Sequence, residues 1–147
     1  MKRVQGLAVG KTLFPALSIG LIFAGIAQAQ IPTFTGKFTL TTRVQWSRTV
    51  LQPGDYTVTI ESINAPAAAL IRDSSGRPVA RFISRIDSGK TSTENALLIR
   101  EKDGQLRVYA LALASLGKVL VYDSALAREA VLEARAPQTV PVMLAKR

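Results

Sequence analysis

The amino-acid sequence predicts an all-β fold: a single antiparallel β-sandwich, or a partly open barrel, of about eight short strands with one short helix near the C-terminus. Three observations support this prediction. Apolar and polar residues alternate along several segments, which is typical of strands that bury one face. Turn-forming residues recur at a spacing of roughly 8 to 12 residues, as in sandwiches and barrels. A single segment near the C-terminus has apolar residues at helical spacing instead.

The N-terminal segment has the order of an export signal. A basic start at residues 1–3 is followed by a largely apolar run over residues 12–24 and by Ala-Gln-Ala at residues 27–29. Small residues at the first and third of these last positions are what signal peptidase reads. We therefore expect a signal peptide over residues 1–29 and one β-sandwich domain over residues 30–147, exported to the periplasm or the extracellular space.

The site of cleavage decides the composition of the mature domain. Cleavage is expected before Gln30, with cleavage before Gln28 as the alternative because Gly25 and Ala27 also suit the peptidase. The sequence has no cysteine, so neither a lipid anchor nor a disulfide is expected, and no membrane span remains after cleavage. The whole chain has 19 basic and 10 acidic residues. The signal contains three of the basic ones, so the mature domain keeps 16 against 10, a net charge of +6.

The first strands are predicted on both sides of a proline-glycine turn. Residues 38–46 alternate, and their even-numbered members, which include Trp46, are assigned to the inner face. A short strand over residues 49–51 enters the turn at residues 52–55, where proline presets φ and glycine accepts a positive φ. Residues 56–60 then repeat the alternation.

A hairpin is predicted next, with strands over residues 67–72 and 77–86 around the loop Asp-Ser-Ser-Gly at residues 73–76. Phe82 and Ile86 of its second strand are assigned to the core. Pairing the two residues that flank the loop puts four arginines on one outer side of the hairpin. These are Arg72, Arg77, Arg81 and Arg85.

A second hairpin is predicted over residues 95–102 and 105–113, around the dipeptide Asp-Gly that favours a two-residue turn. Such a turn places Arg100 opposite Arg107, and like charges in this position are destabilising unless solvent or an anion lies between them. A bulged turn shifts the register by one residue and separates the two arginines. The sequence leaves both registers open.

The last segments are a strand, a helix and an edge strand. A short apolar strand is predicted over residues 119–122, and a helix over residues 124–135 has a narrow stripe made mostly of alanine. We expect this helix to pack on the sandwich, since insertion into a membrane surface favours bulkier apolar residues. The strand over residues 139–144 contains Pro141, which confines it to an edge or a bulge.

Several of these segments resemble a recurring group. Residues 50–58 contain Leu-Gln-Pro-Gly-Asp-Tyr, and they combine with residues 38–40, 107–119 and 138–142. Together these segments resemble small exported bacterial β-rich proteins of unknown function that have a Leu-x-Pro-Gly-Asp-Tyr turn-and-strand motif. The resemblance implies an exported β-rich fold over most of the mature chain. It assigns no functional residue, because the group has no established activity.

The residue types of most catalytic sites are missing. The chain has no histidine and no cysteine, which removes the commonest general bases, thiol nucleophiles and zinc ligands. A serine–lysine pair in residues 88–92 is the surviving nucleophile arrangement, but a loop of this composition is more typical of a solvated turn. The acidic residues are scattered and match no calcium-binding loop. We therefore predict no enzymatic activity, no metal and no cofactor.

The arginine-lined hairpin is the candidate binding site. Arg72, Arg77, Arg81 and Arg85 suit phosphate, sulfate or an acidic polysaccharide; alternatively, they keep an exposed sheet face soluble and block edge pairing. Nucleic acid is not an expected partner, because the basic residues are not interleaved with stacking aromatics.

Two functional hypotheses follow. The leading one is an exported, non-catalytic structural or interaction module of the cell envelope, whose edge strands dock another envelope protein. The alternative is a soluble module that binds an anionic glycan or another polyanion through the arginine-lined face of the hairpin.

Overall fold

The computed structural model describes residues 32–87, 93–133 and 136–145. Over these ranges the chain forms eleven strands and one α-helix, α1 (Ser124–Leu132), with a 3₁₀ turn at Ala114–Leu116. The strands are β1 (Phe34–Leu40), β2 (Val44–Trp46), β3 (Thr49–Leu51), β4 (Gly54–Ile60), β5 (Ala67–Asp73), β6 (Pro78–Asp87), β7 (Ala96–Lys102), β8 (Gln105–Leu113), β9 (Lys118–Val121), β10 (Gln138–Pro141) and β11 (Met143–Leu144). The predicted all-β class with a C-terminal helix is confirmed.

Two predicted features fall outside the described residues. The signal peptide, residues 1–29, is one, and the loop with the serine–lysine pair, residues 88–92, is the other. In the part of the chain that the structure describes, no helix has both the length and the apolar character needed to cross a membrane.

The strands form one mixed sheet in the order β10-β7-β8-β9-β6-β5-β4-β1-β11. Neighbours along this path are antiparallel, whereas the β2–β3 hairpin joins β8 through a parallel pairing of β2. Strand β6 belongs to both halves of the sheet, because it pairs with β5 up to Ser84 and with β9 from Arg85 onward. The β1–β4–β5 half and the β7–β8–β9 half therefore meet along this ten-residue strand.

One core fills the space between the two halves, and its centre is aromatic. Trp46 is fully buried, and its ring lies 4.7 Å from that of Phe82, 5.0 Å from that of Tyr122 and 6.3 Å from that of Phe38. The indole and its three partners come from four different segments, so Trp46 ties β1, β2, β6 and the end of β9 together. The inward position expected for Trp46 is confirmed.

The C-terminal strap, residues 138–144, joins the two ends of the sheet. Pro141 pairs with Ala96 of β7, whereas Met143 pairs with Lys37 of β1. Pro141 thus lies in an end strand of the sheet, where the missing N–H of proline breaks no ladder.

A glycine makes room for the centre of this strap. Val142 is 3% exposed, packs in the core and donates its backbone N–H to the carbonyl of Asn95 at 2.8 Å. It lies directly over Gly36 of β1, where an added Cβ would come within 2.5 Å of Val142 Cγ1. A larger residue at position 36 would therefore push the strap out.

The first hairpin exists, but its predicted register is wrong. Arg72 pairs with Pro78 instead of Arg77, and a bulge follows Ile71, so that Leu70 faces Arg81. The cause is the Asp73 carboxylate, which accepts the backbone N–H groups of Ser75 (2.9 Å) and Arg77 (3.0 Å). These bonds keep Arg77 inside the loop, and the second strand starts one residue later.

The second hairpin takes the two-residue turn. Asp103 and Gly104 have φ of 53° and 74°, as a type I′ turn requires. Arg100 therefore lies opposite Arg107, which was one of the two registers that the sequence left open.

Helix α1 starts where the sequence predicts. Asp123 caps it, because its carboxylate accepts the N–H groups of Ala125 and Leu126, each at 3.1 Å. Leu126 is buried and packs with Tyr109 and Ala110 of β8. The expected docking of the helix on the sheet is thus observed.

Candidate functional site

The outer surface of the β1–β4–β5 half carries a cluster of basic side chains between threonines. Since side chains alternate along a strand, residues on the face opposite the core point outward. In the pairing of the strands, Lys37 lies beside Thr57, and Thr57 lies beside Arg72. The next row contains Thr59, Leu70 and Arg81.

The basic face is defined by four residues that share this outward side. They are Lys37 of β1, Arg72 of β5, and Arg81 and Arg85 of β6. Lys37 and Arg72 are separated by two strand spacings, which is roughly 10 Å between backbones. Arg81 and Arg85 are four residues apart on one strand, which is roughly 13 Å. The face thus presents several positive charges within reach of one extended ligand.

The four arginines predicted from the sequence have different surroundings. Arg77 lies in the loop, where its guanidinium forms an ion pair with Asp73 at 3.1 Å. Arg72 Nη1 donates to the carbonyl of Gly76 at 3.5 Å. Arg81 and Arg85 are exposed and make no hydrogen bond or ion pair with any residue that the structure describes. The charge of Arg77 is therefore compensated locally, whereas Arg81 and Arg85 remain available to a ligand.

Asp73 belongs to the structure of the loop. The hydroxyl of Ser75 donates to its carboxylate at 2.6 Å, and Arg77 donates through Nε at 3.1 Å. These bonds, with that of Ser75 as the largest cause, lower the pKa of Asp73 from 3.8 to about 2. Because its oxygens are occupied in this way, Asp73 orders the turn beside the basic face.

Lys37 was missed by the sequence analysis. It lies in a strand whose pairing with β4 is non-local, and it is 35 residues before Arg72, so no local spacing connects the two. The sequence did indicate that the Lys37 side chain points outward, because it alternates with the inward Phe38. This alternation does not indicate which side chains lie beside it.

A depression of 510 Å³ lies at one corner of the basic face. The residues that line it include Lys37, Asp55, Thr57 and Met143, together with Asp73 and Ser74 of the first hairpin. The next pair of β1 and β4 residues, Thr39 and Asp55, is joined by a hydrogen bond from the threonine hydroxyl to Asp55 Oδ1 at 2.6 Å. In the described ranges, no residue donates to Asp55 Oδ2.

Two basic residues of β7 form ion pairs with carboxylates of helix α1 and its C-cap. Arg100 forms an ion pair with Glu133 at the end of the helix, and Lys102 pairs with Glu129 at 3.0 Å. The helix thus supplies carboxylates that compensate the positive charge of β7 and help to hold α1 on the sheet. Arg107 stays beside Arg100, with its Nε buried and without a hydrogen-bond partner among the residues described.

The buried polar groups of the core differ in their partners: in the described ranges, Trp46 Nε1 and the Tyr122 hydroxyl have no hydrogen-bond partner, whereas Ser84 has one. Ser84 donates its hydroxyl to the carbonyl of Ala67 at 3.2 Å. Burial raises the pKa of the Tyr122 hydroxyl, and desolvation raises that of Tyr109. Across the described ranges, no group of three or more acidic side chains comes together in a way that would hold a metal ion.

Comparison with protein-family models, curated proteins and solved structures finds no match to this chain.

Proposed function

We propose that this protein is an exported, non-catalytic binding module of the cell envelope that holds an anionic polysaccharide against its basic face. The observation that carries the proposal is the strand register. It places Lys37, Arg72 and Arg81 on one exposed face. Arg72 of β5 and Arg81 of β6 lie on adjacent strands, in neighbouring rows of paired residues. Arg85 extends the same line of charge along β6.

The shape of the face supports a polymeric ligand. A β-sheet surface is broad, and a chain laid across the strands meets several cations at once. The rows between the charges contain Thr35, Thr57 and Thr59, whose hydroxyls donate and accept hydrogen bonds. Guanidinium groups in turn bind carboxylates and sulfates with two parallel hydrogen bonds. The face combines charge with hydrogen-bonding groups, as a charged saccharide requires.

Two features of the sequence support the exported setting. The basic start, the apolar run and Ala-Gln-Ala at residues 27–29 have the order of a secretory signal. The resemblance to small exported bacterial β-rich proteins points in the same direction. Acidic polysaccharide is an abundant polyanion outside the cytoplasm, whereas an exported protein rarely meets nucleic acid.

The test is a pair of charge-matched double substitutions. The first, Arg81→Gln with Arg85→Gln, removes two charges from the basic face. The control, Arg43→Gln with Arg48→Gln, removes two exposed charges beside β2, which joins the other half of the sheet. Binding of polygalacturonate is measured by titration calorimetry at two salt concentrations, since exposed charges are screened over about 8–10 Å.

We expect the first variant to lose roughly 3- to 10-fold in affinity, because each exposed charge pair contributes up to about 1 kcal/mol. The control should lose less than about twofold, and the difference should shrink at high salt. Equal losses in both variants would mean that net charge alone attracts the polymer, and they would refute the proposal.

A second candidate function has support from one edge of the sheet. Among the described strands, β3 pairs with β2 alone, and Val50 in it is 49% exposed, so an extended segment of another envelope protein has a place to add as a strand. A structural module that assembles through this edge forms an oligomer, whereas a glycan-binding module can remain a monomer. The mass of the purified protein in solution distinguishes the two.

A further inference from the structure

We infer that the depression at the corner of the basic face is a subsite for one carboxylated sugar unit, and that it makes the protein prefer uronic-acid polymers to densely sulfated ones. The inference rests on the proposed function and adds the class of saccharide. It is carried by one juxtaposition: the Lys37 ammonium, which pairs with no described residue, the half-engaged carboxylate of Asp55 and the exposed thioether of Met143 line the same depression.

The positions of the charged groups follow from the strand register. Asp55 pairs with Thr39, and Lys37 lies two residues before Thr39 on the same strand. Lys37 and Asp55 are therefore diagonal neighbours, with backbones about 7–8 Å apart. They do not form an ion pair with each other, since the ion pairs of the described residues join other groups. The space between the opposite charges is open to a ligand.

Each wall of the depression suits a different part of a sugar acid. The Lys37 ammonium, a compact point charge with three donors, suits the carboxylate. Asp55 accepts the Thr39 hydroxyl at Oδ1, which leaves Oδ2 to accept hydroxyl groups of the sugar ring. Thr57 lies beside Lys37 and offers a further hydroxyl.

The fourth wall is apolar. Met143 pairs with Lys37 across the β1–β11 ladder and is 70% exposed. Its thioether is flexible and polarizable, and such a side chain adapts to the C–H face of a sugar ring. Apolar contact on one side with polar groups on the others is the usual composition of a small-ligand site.

The Asp55 carboxylate is what separates uronic acids from sulfated polymers. A uronic acid has one negative charge per unit and keeps free hydroxyls, so its carboxylate can lie at Lys37 while its hydroxyls face Asp55. A polymer with sulfates in place of those hydroxyls would bring negative groups against Asp55. Like charges juxtaposed in this way cost affinity.

Asp55→Asn tests this with two probes, trigalacturonic acid and dextran sulfate. Asparagine keeps an acceptor for Thr39 but removes the negative charge. We expect affinity for trigalacturonic acid to fall about fivefold or more, because a hydrogen bond to a charged group is lost. Affinity for dextran sulfate should rise about twofold or more, because the repulsion is removed.

The matched control is Asp103→Asn, which removes an exposed carboxylate in the turn of the second hairpin. It should leave the ratio of the two affinities unchanged, and circular dichroism verifies that each variant is folded. If Asp55→Asn strengthens the binding of both probes, or changes the binding of neither, the proposed subsite is refuted. This holds even if the double substitution of Arg81 and Arg85 still weakens binding. If that double variant behaves like its own control, the basic face itself is refuted.

Discussion

Replacing Gly36 with alanine tests how the C-terminal strap is held. The added Cβ would lie 2.5 Å from Val142 Cγ1 and 2.9 Å from Phe34 Cε1, well inside the 3.5–4.0 Å at which carbon atoms attract each other. Phe34 and Val142 are both buried, so neither moves into solvent without losing core contacts. The structure therefore predicts that the strap is displaced.

Two opposing effects set the magnitude. Overpacking a dense core costs about 1–3 kcal/mol. Alanine recovers about 0.5–1 kcal/mol, because glycine in a strand loses more backbone entropy on folding. The clash is the larger effect, and we expect Gly36→Ala to lower the free energy of unfolding by about 1–2 kcal/mol.

A double-mutant cycle with Val142→Ala identifies the contact. Val142→Ala alone removes two buried methyl groups and costs about 1–3 kcal/mol. In that background the clash with Val142 Cγ1 is removed and only the contact with Phe34 remains, so Gly36→Ala should cost less, and the two changes should couple by about 1 kcal/mol. Urea denaturation measures the free energy of unfolding of each variant. Unfolding is followed by the fluorescence of Trp46, the one tryptophan in the chain, which is fully buried. An equal cost of Gly36→Ala in both backgrounds would refute the reasoning.

Two further predictions concern the core and the first loop. Trp46→Ala should lower the free energy of unfolding by about 3–5 kcal/mol, because the indole is fully buried among three rings. Thermal unfolding followed by circular dichroism measures the loss, and a change near zero would refute the central role of the indole. Asp73→Asn should reduce the pH dependence of stability. Folding lowers the pKa of Asp73 from 3.8 to about 2, so its contribution is complete above pH 3.8 and is lost as the pH falls toward 2. Melting temperatures of the two proteins should converge across this window, and a constant difference would contradict the assignment.

Local patterns predicted the inner and outer faces of strands well. Phe38, Leu40, Val44 and Trp46 are all buried, as their alternation indicates. The same alternation did not reveal that the strand is interrupted. Residues 41–43 lie outside any strand, although the alternation of apolar and polar residues continues through them, and Thr42, which was assigned to the inner face, is exposed. Period alone does not show where a strand bends.

The sequence narrowed a hairpin register, to two alternatives, only where the turn depends on the backbone. Asp103-Gly104 requires positive φ at both residues, so the dipeptide selects a two-residue turn and places Arg100 opposite Arg107. In the first hairpin the loop is closed by the Asp73 side chain, and the position of that carboxylate depends on a hydroxyl and a guanidinium nearby. A pattern of residue types does not contain this information.

In the candidate site, too, local features were predictable and contacts between distant segments were not. The outward parity of Arg81 and Arg85 is a local property of one strand, and the sequence predicted it. That Lys37 and Asp55 share the outer face with them depends on β1 pairing with β4 and β4 pairing with β5, which joins residues distant in the chain. The strap is less predictable still, because it pairs with β1 and β7 at once.

The strap also connects the fold to the site. Val142 points into the core over Gly36, and the alternation of the strand then turns the next residue, Met143, outward beside Lys37. The contact that joins the two ends of the sheet therefore positions the apolar wall of the corner subsite. The charges of the basic face lie on the opposite side of the same strands from the core, since Leu70 and Arg72 of β5 alternate with the buried Ala69 and Ile71. Substitutions of its arginines should thus change binding without changing stability, whereas a change at Gly36 should affect both.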